Sequence, residues 1–153
     1  MKRITTILVA VLLVTMVFAV ARDYKGKGTV TAKGKGVAKF EGAGSFEVTG
    51  TGILWIVDCS MNNDLQVNVS GPGQKINTPS FLYVYKGFNG SATVSGSRMK
   101  VLIRGNDIKL SVTGVGKLHL KGRGTCQKGG QEIPWNEEVE TEVIVGDNIE
   151  ILE

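Results

Sequence analysis

The chain has 153 residues, 18 Lys+Arg against 14 Asp+Glu, one histidine, two cysteines and 21 glycines with three prolines. Proline this scarce excludes a proline-rich disordered segment, and the lack of a G-X-Y period excludes collagen. A single histidine with no C-x-x-C pair argues against a metal site or a histidine relay, so no metal, cofactor or catalytic residue is expected.

The first element is a leader. Lys2 and Arg3 precede an uncharged run of 18 residues, 4–21, and Ala19-Val20-Ala21 has the form of a small-residue cleavage site. This is the layout of a secretory signal peptide cut after Ala21. The run is long for that role: as a helix it would measure about 27 Å, close to a minimal membrane span. The alternative is an uncleaved signal anchor that holds the rest of the chain at the membrane, outside the cytoplasm. Either way residues 22–153 form one domain, long enough for one core.

A glycine repeat follows. Glycines stand at 26 and 28, 34 and 36, 42 and 44, 50 and 52, then again at 114 and 116, and at 122 and 124. Between 25 and 56 the even positions carry glycine pairs and apolar pairs in turn (Val30, Ala32, Ala38, Phe40, Phe46, Val48, Leu54, Ile56), while the odd positions are mostly polar. A period of two means strand, with one face buried and one wet. Two geometries satisfy the pattern. Each G-x-G can be a three-residue hairpin loop between short strands, or the chain can run on as long strands that bend at inward-facing glycines. The absence of Asn-Gly or Asp-Gly at these corners favours long bent strands. Both predict an all-β fold, a single antiparallel barrel or sandwich.

The remaining elements agree. Residues 53–57 (ILWIV) are apolar on both faces, as in a central strand. Residues 62–79 are rich in Asn, Gly, Pro and Ser around one alternating piece, 65–69. Strands are expected over 80–86, 92–94, 99–104, 108–112 and 117–121, with turns at Phe88-Asn89-Gly90 and at Gly105-Asn106-Asp107. Two closing strands, 139–145 and 148–152, lie in a segment, 129–153, that has eight acidic residues and no basic one. Residues 22–128 carry 16 basic and six acidic residues. The acidic segment can therefore pair with basic strands of its own chain, or join a neighbouring copy into a homo-oligomer.

No constellation here points to catalysis, and a non-enzyme is expected. The G-x-G pairs are followed by strands, so they are not phosphate loops, which need a helix after the glycines. His119 lies on the odd, wet face, which predicts a solvent-exposed side chain. Asp58 reads as a strand-end cap or an isolated site carboxylate, and the glutamates from 137 to 142 as a solvated face. Cys59 and Cys126, an even pair in an exported chain, are expected to form a disulfide, with two buried thiols as the alternative. Asn68-Val-Ser70 and Asn89-Gly-Ser91 are glycosylation sequons.

Lysines carry what functional signal there is. Lys33, Lys35 and Lys39 share one parity, and Lys117, Lys121 and Arg123 do so in the second repeat block. If the blocks are neighbours, they make a basic sheet face for a polyanion such as anionic lipid or acidic glycan. The face lacks the aromatic residues that stack nucleic-acid bases, so nucleic acid is not an expected partner. The other expectation is a structural or interaction domain of the cell envelope or extracellular space, in which the lysines serve solubility and protect edges.

Overall fold

The computed structural model describes residues 28–146. The expected leader with its cleavage position Ala21, and the strand expected over 148–152, lie outside the described residues.

Two long strands make up most of the fold. β1 (Gly28–Asp58) has 31 residues. After the short β2 (Gln66–Ser70) and β3 (Gln74–Ile76) comes β4 (Leu82–Lys128) with 47 residues, then β5 (Gln131–Pro134) and β6 (Thr141–Val145). The fold is all-β, one antiparallel sheet. β1 runs without a break through the glycine pairs at 34 and 36, 42 and 44, and 50 and 52, so the hairpin geometry is not adopted there. The turns expected at 88–90 and 105–107 are not chain reversals either: β4 passes through both, and Phe88 is buried in the core.

A straight strand of 31 residues would reach about 100 Å, several times the width of a domain this size. β1 avoids this by changing partners at the glycine pairs. Its segments 28–34 and 44–50 pair with 108–114, and their other edges pair with 122–128 and 90–96. Segments 36–42 and 52–58 pair with 99–105, and their other edges with 116–122 and 82–88. The pairings thus sort into two rows. The first runs β5, 122–128, 28–34, 108–114, 44–50, 90–96, β2. The second runs β6, 116–122, 36–42, 99–105, 52–58, 82–88, β3. Both rows send side chains into one hydrophobic cluster, in which every even apolar position of β1 named above is buried.

At the corners glycine faces glycine. Gly36 pairs with Gly122 and Gly105, and Gly44 with Gly114 and Gly96. A Cβ on Gly44 would sit 2.8 Å from the Gly114 Cα, and one on Gly36 2.9 Å from the Gly122 Cα, both against backbone that has nowhere to go. Their φ values, +129° and +128°, are also ones that side chains disfavour. The second repeat block is the partner set of the first. β4 takes one extra residue at several of these crossings. Between Gly34↔Ile108 and Gly36↔Gly105, β1 advances two positions and β4 three; the same happens between Gly42↔Met99 and Gly44↔Gly96. Such bulges bend a strand and flip its parity. Buried positions in β4 accordingly switch to odd numbers (Met99, Val101, Ile103) and back to even (Ile108, Leu110, Val112).

Three expectations are corrected. The sheet is not closed, so the barrel alternative fails: β2, β3, β5 and β6 each pair with β4 alone and leave open edges. The expected strand over 139–145 begins at Thr141, and Val139 is exposed. Cys59 and Cys126 are both free. Cys126 is fully buried in the first row with Ala32 and Ile133 as its register partners, whereas Cys59 follows the last segment of β1, in the second row, and donates its amide to the Arg98 carbonyl. The fold separates what sequence parity could not. Burial pushes the Cys126 thiol up from its ordinary pKa, as for a core hydrophobe. Among the described residues no helix is long and apolar enough to cross a membrane.

Candidate polyanion-binding corner

The odd positions of β1 face outward throughout, as expected, but the two rows have different outer surfaces. Lys33 lies on the outer face of the first row and Lys39 on that of the second; Lys35 sits at the corner between them, flanked by Gly34 and Gly36. The second block divides the same way. Lys117 and Lys121 share the second row with Lys39, and Arg123 sits opposite Lys35 at the corner. The six candidate cations therefore do not form one face.

On the second row, Lys39, Lys100 and Lys117 are compensated, while Lys121 and Arg104, both exposed and both opposite Val37, form no ion pair among the described residues. Glu41 lies 3.7 Å from the Lys39 Nζ and 3.5 Å from the Lys100 Nζ, and Glu142 lies 3.7 Å from the Lys117 Nζ. β6 brings the acidic segment alongside residues 116–120, so its carboxylates meet basic strands of their own chain. This also corrects the reading of His119. Its side chain is only 12% exposed, with Nδ1 3.5 Å from Glu140 and 3.9 Å from Glu142.

At the corner, charge is concentrated instead. Register puts Lys33 directly opposite Lys109, and Lys35 directly opposite Arg123. Like charges in such positions cost on the order of 0.2–1 kcal/mol per pair. All four side chains are exposed and line one shallow depression of about 560 Å³, with Thr125 and a single carboxylate, Asp107. Asp107 occupies the bulge at φ 52°, a left-handed conformation that Asp tolerates better than most residues. Arg123 also reaches Glu137, an exposed pair of the kind worth little. Among the described residues Lys33, Lys35 and Lys109 form no ion pair. Lys109 was not singled out from the sequence. Its signal is its alignment with Lys33, which needs the register.

Other candidates resolve into structure. Asp58 Oδ1 accepts hydrogen bonds from the Ser60 amide at 2.9 Å and from the Ser60 hydroxyl at 2.8 Å, which is the strand-end cap. Among the described residues no group of three or more His, Cys, Asp or Glu side chains is placed to hold a metal. The sequon residues Asn68 and Asn89 are both exposed. No protein-family model, no curated protein and no solved structure matches the chain.

Proposed function

We propose that this chain is a non-catalytic, exported β-domain of the cell envelope or extracellular space that binds a polyanion at the corner formed by Lys33, Lys35, Lys109 and Arg123. In this reading the folded-over sheet is a two-layer sandwich, and the leader delivers it across the membrane. One observation carries the binding role: two like-charge pairs stand directly opposite across neighbouring strands, with Asp107 the one carboxylate lining their depression and Glu137 reaching Arg123 alone. Lysine kept only for solubility has no reason to be aligned with lysine, because alignment costs stability and gains nothing without a ligand.

The test is retention on heparin or on anionic vesicles as salt is raised. The double substitution K33E/K109E should move elution to much lower salt, and K39E/K117E, at compensated lysines of the second row, should move it little. Equal shifts for both would leave only net charge as the cause and defeat the assignment to the corner. Sequencing the N-terminus of the protein from its own host tests the delivery: a start at Arg22 means secretion, and a start at Met1 means a tether.

A further inference from the structure

We propose that the polyanion is an acidic polysaccharide, which lies across the outer face of the first row with its charged groups at the corner; this rests on the polyanion reading above. The register aligns one straight file of residues across six neighbouring segments: Thr125, Lys33, Lys109, Thr49, Ser91 and Ser70. At about 4.8 Å per strand the file is about 24 Å long, room for an oligosaccharide rather than a single headgroup. Its chemistry changes along its length. The corner end carries the lysines, and beyond Lys109 every side chain is a hydroxyl. A second depression, of about 320 Å³, is lined by Glu47, Thr49, Ser91, Thr93 and Ser111 and shares Lys109 with the corner depression, so the two form one track.

Each feature of the track selects among polyanions. A Ser or Thr hydroxyl both donates and accepts, as a sugar hydroxyl does, whereas phosphate and sulfate oxygens only accept. Ser70 and Ser91 show the capacity in place: their hydroxyls lie 2.6 Å apart in a mutual hydrogen bond, and each keeps further capacity. The file contains no aromatic side chain on which a base could stack and no apolar one to enter the acyl region of a bilayer. Glu47 stands in the next file, exposed beside the hydroxyls. A bilayer or a nucleic acid would lay unbroken negative charge over it. A polysaccharide, with acidic groups separated by neutral hydroxyl-rich stretches, can set a neutral stretch there.

The experiment measures affinity of the purified protein for two oligosaccharides in which uronic acids alternate with neutral sugars, one of hyaluronan and one of unsulfated chondroitin, for vesicles of phosphatidylcholine with phosphatidylserine, and for single-stranded DNA. It uses the wild type, K33E/K109E and T49V/S91A, each first checked for an unchanged thermal transition. The inference expects glycan binding tighter than vesicle or DNA binding. It also expects T49V/S91A to weaken the glycan about tenfold while leaving the weaker vesicle and DNA binding alone. Unchanged glycan affinity in T49V/S91A, with loss in K33E/K109E, would overturn the glycan assignment and leave the polyanion reading standing. Tighter binding of vesicles or DNA than of either glycan would do the same in favour of a lipid or nucleic-acid partner. No loss in K33E/K109E for any ligand would overturn both. If T49V/S91A does not fold, T49S/S91T, which keeps both hydroxyls but moves a methyl group, takes its place: the inference then expects retained binding, and full loss counts against it as shape rather than hydroxyl recognition.

Discussion

The outer faces of the two rows are built from the same strands and differ in almost every respect. The face of the first row is hydroxyl-rich, with Lys33, Lys35 and Lys109 gathered unpaired at one corner beside Arg123, which meets Glu137. The second row has a charged half in which lysines meet glutamates, and then an apolar half. There the register aligns Ile76, Val84, Trp55 and Leu102 side by side, and Val84 is buried although it does not belong to the core cluster. The lesson is that alternation along a strand decides only inside from outside. Which outside a residue reaches is decided by the number of corners between it and its neighbours, and so by the glycines.

Breaking a corner should therefore have the largest effect. Gly44→Val inserts a Cβ against Gly114 backbone in a left-handed conformation, at a point where both rows are joined. We expect loss of the cooperative unfolding transition in calorimetry, a larger effect than the about 3–5 kcal/mol of a Phe46→Ala core truncation. Gly87 has positive φ too, +62°, but nothing lies within 4 Å of an added Cβ. Gly87→Ala should cost only about 1–2 kcal/mol. If the two glycine variants were equally destabilised, conformation alone and not close approach would set the need for glycine at the corners.

The repeat made much of this legible in the sequence. In-and-out parity placed the β1 core from Val30 to Ile56 because alternation is a local property, and the long strands followed from glycines on the buried parity. What stayed hidden depends on register. Nothing local says that Gly114 meets Gly44, that Lys109 meets Lys33, or that Lys33 and Lys39 part company at Gly34 and Gly36. His119 was misplaced for the same reason: its parity is outward, but β6 and Glu140 close over it. The bulges of β4 defeat parity outright, since an added residue exchanges its faces; hence the buried Phe88 at an expected turn.

A smaller effect, opposite in sign, sharpens the contrast in charge. On the second row, removing Lys117 deprives Glu142 of a partner and should leave stability level or slightly lower. At the corner, Lys109→Thr removes a like-charge neighbour of Lys33 and extends the hydroxyl file. It should raise stability by on the order of 0.2–1 kcal/mol while weakening retention on heparin. Denaturant midpoints at low and high salt check this, because the gain should shrink as salt screens the repulsion. A stabilised variant that binds as well as the wild type would show that the repulsion serves no ligand.

The smallest effect concerns another crossing of β4 between the rows, at residues 96–99, which is held by a carboxylate where the basic corner is crowded with cations. The Asp64 Oδ1 accepts from the Ser97 amide at 3.3 Å and lies 3.0 Å from the Ser60 hydroxyl. The Ser97 side chain foremost, and after it the Ser97 amide and the Ser60 hydroxyl, hold the Asp64 carboxyl below its ordinary value of 3.8 against an opposing effect of desolvation that is smaller than that of the Ser97 side chain. A group whose pKa is lower in the folded state binds its proton more weakly there than in the unfolded chain. Its contribution to stability is therefore fully present above the ordinary carboxylate range and is lost as pH falls through the depressed value. Because the side chain is fully exposed, the contribution is small, and carboxyl NMR chemical shifts are the suitable measurement. Asp64 should titrate below an unperturbed aspartate, and Ser97→Gly, which removes the hydroxyl but keeps the amide, should bring it back toward 3.8. An Asp64 that titrates normally in the wild type would mean that this crossing is held by backbone pairing alone, and that its difference from the basic corner lies entirely in the lysines.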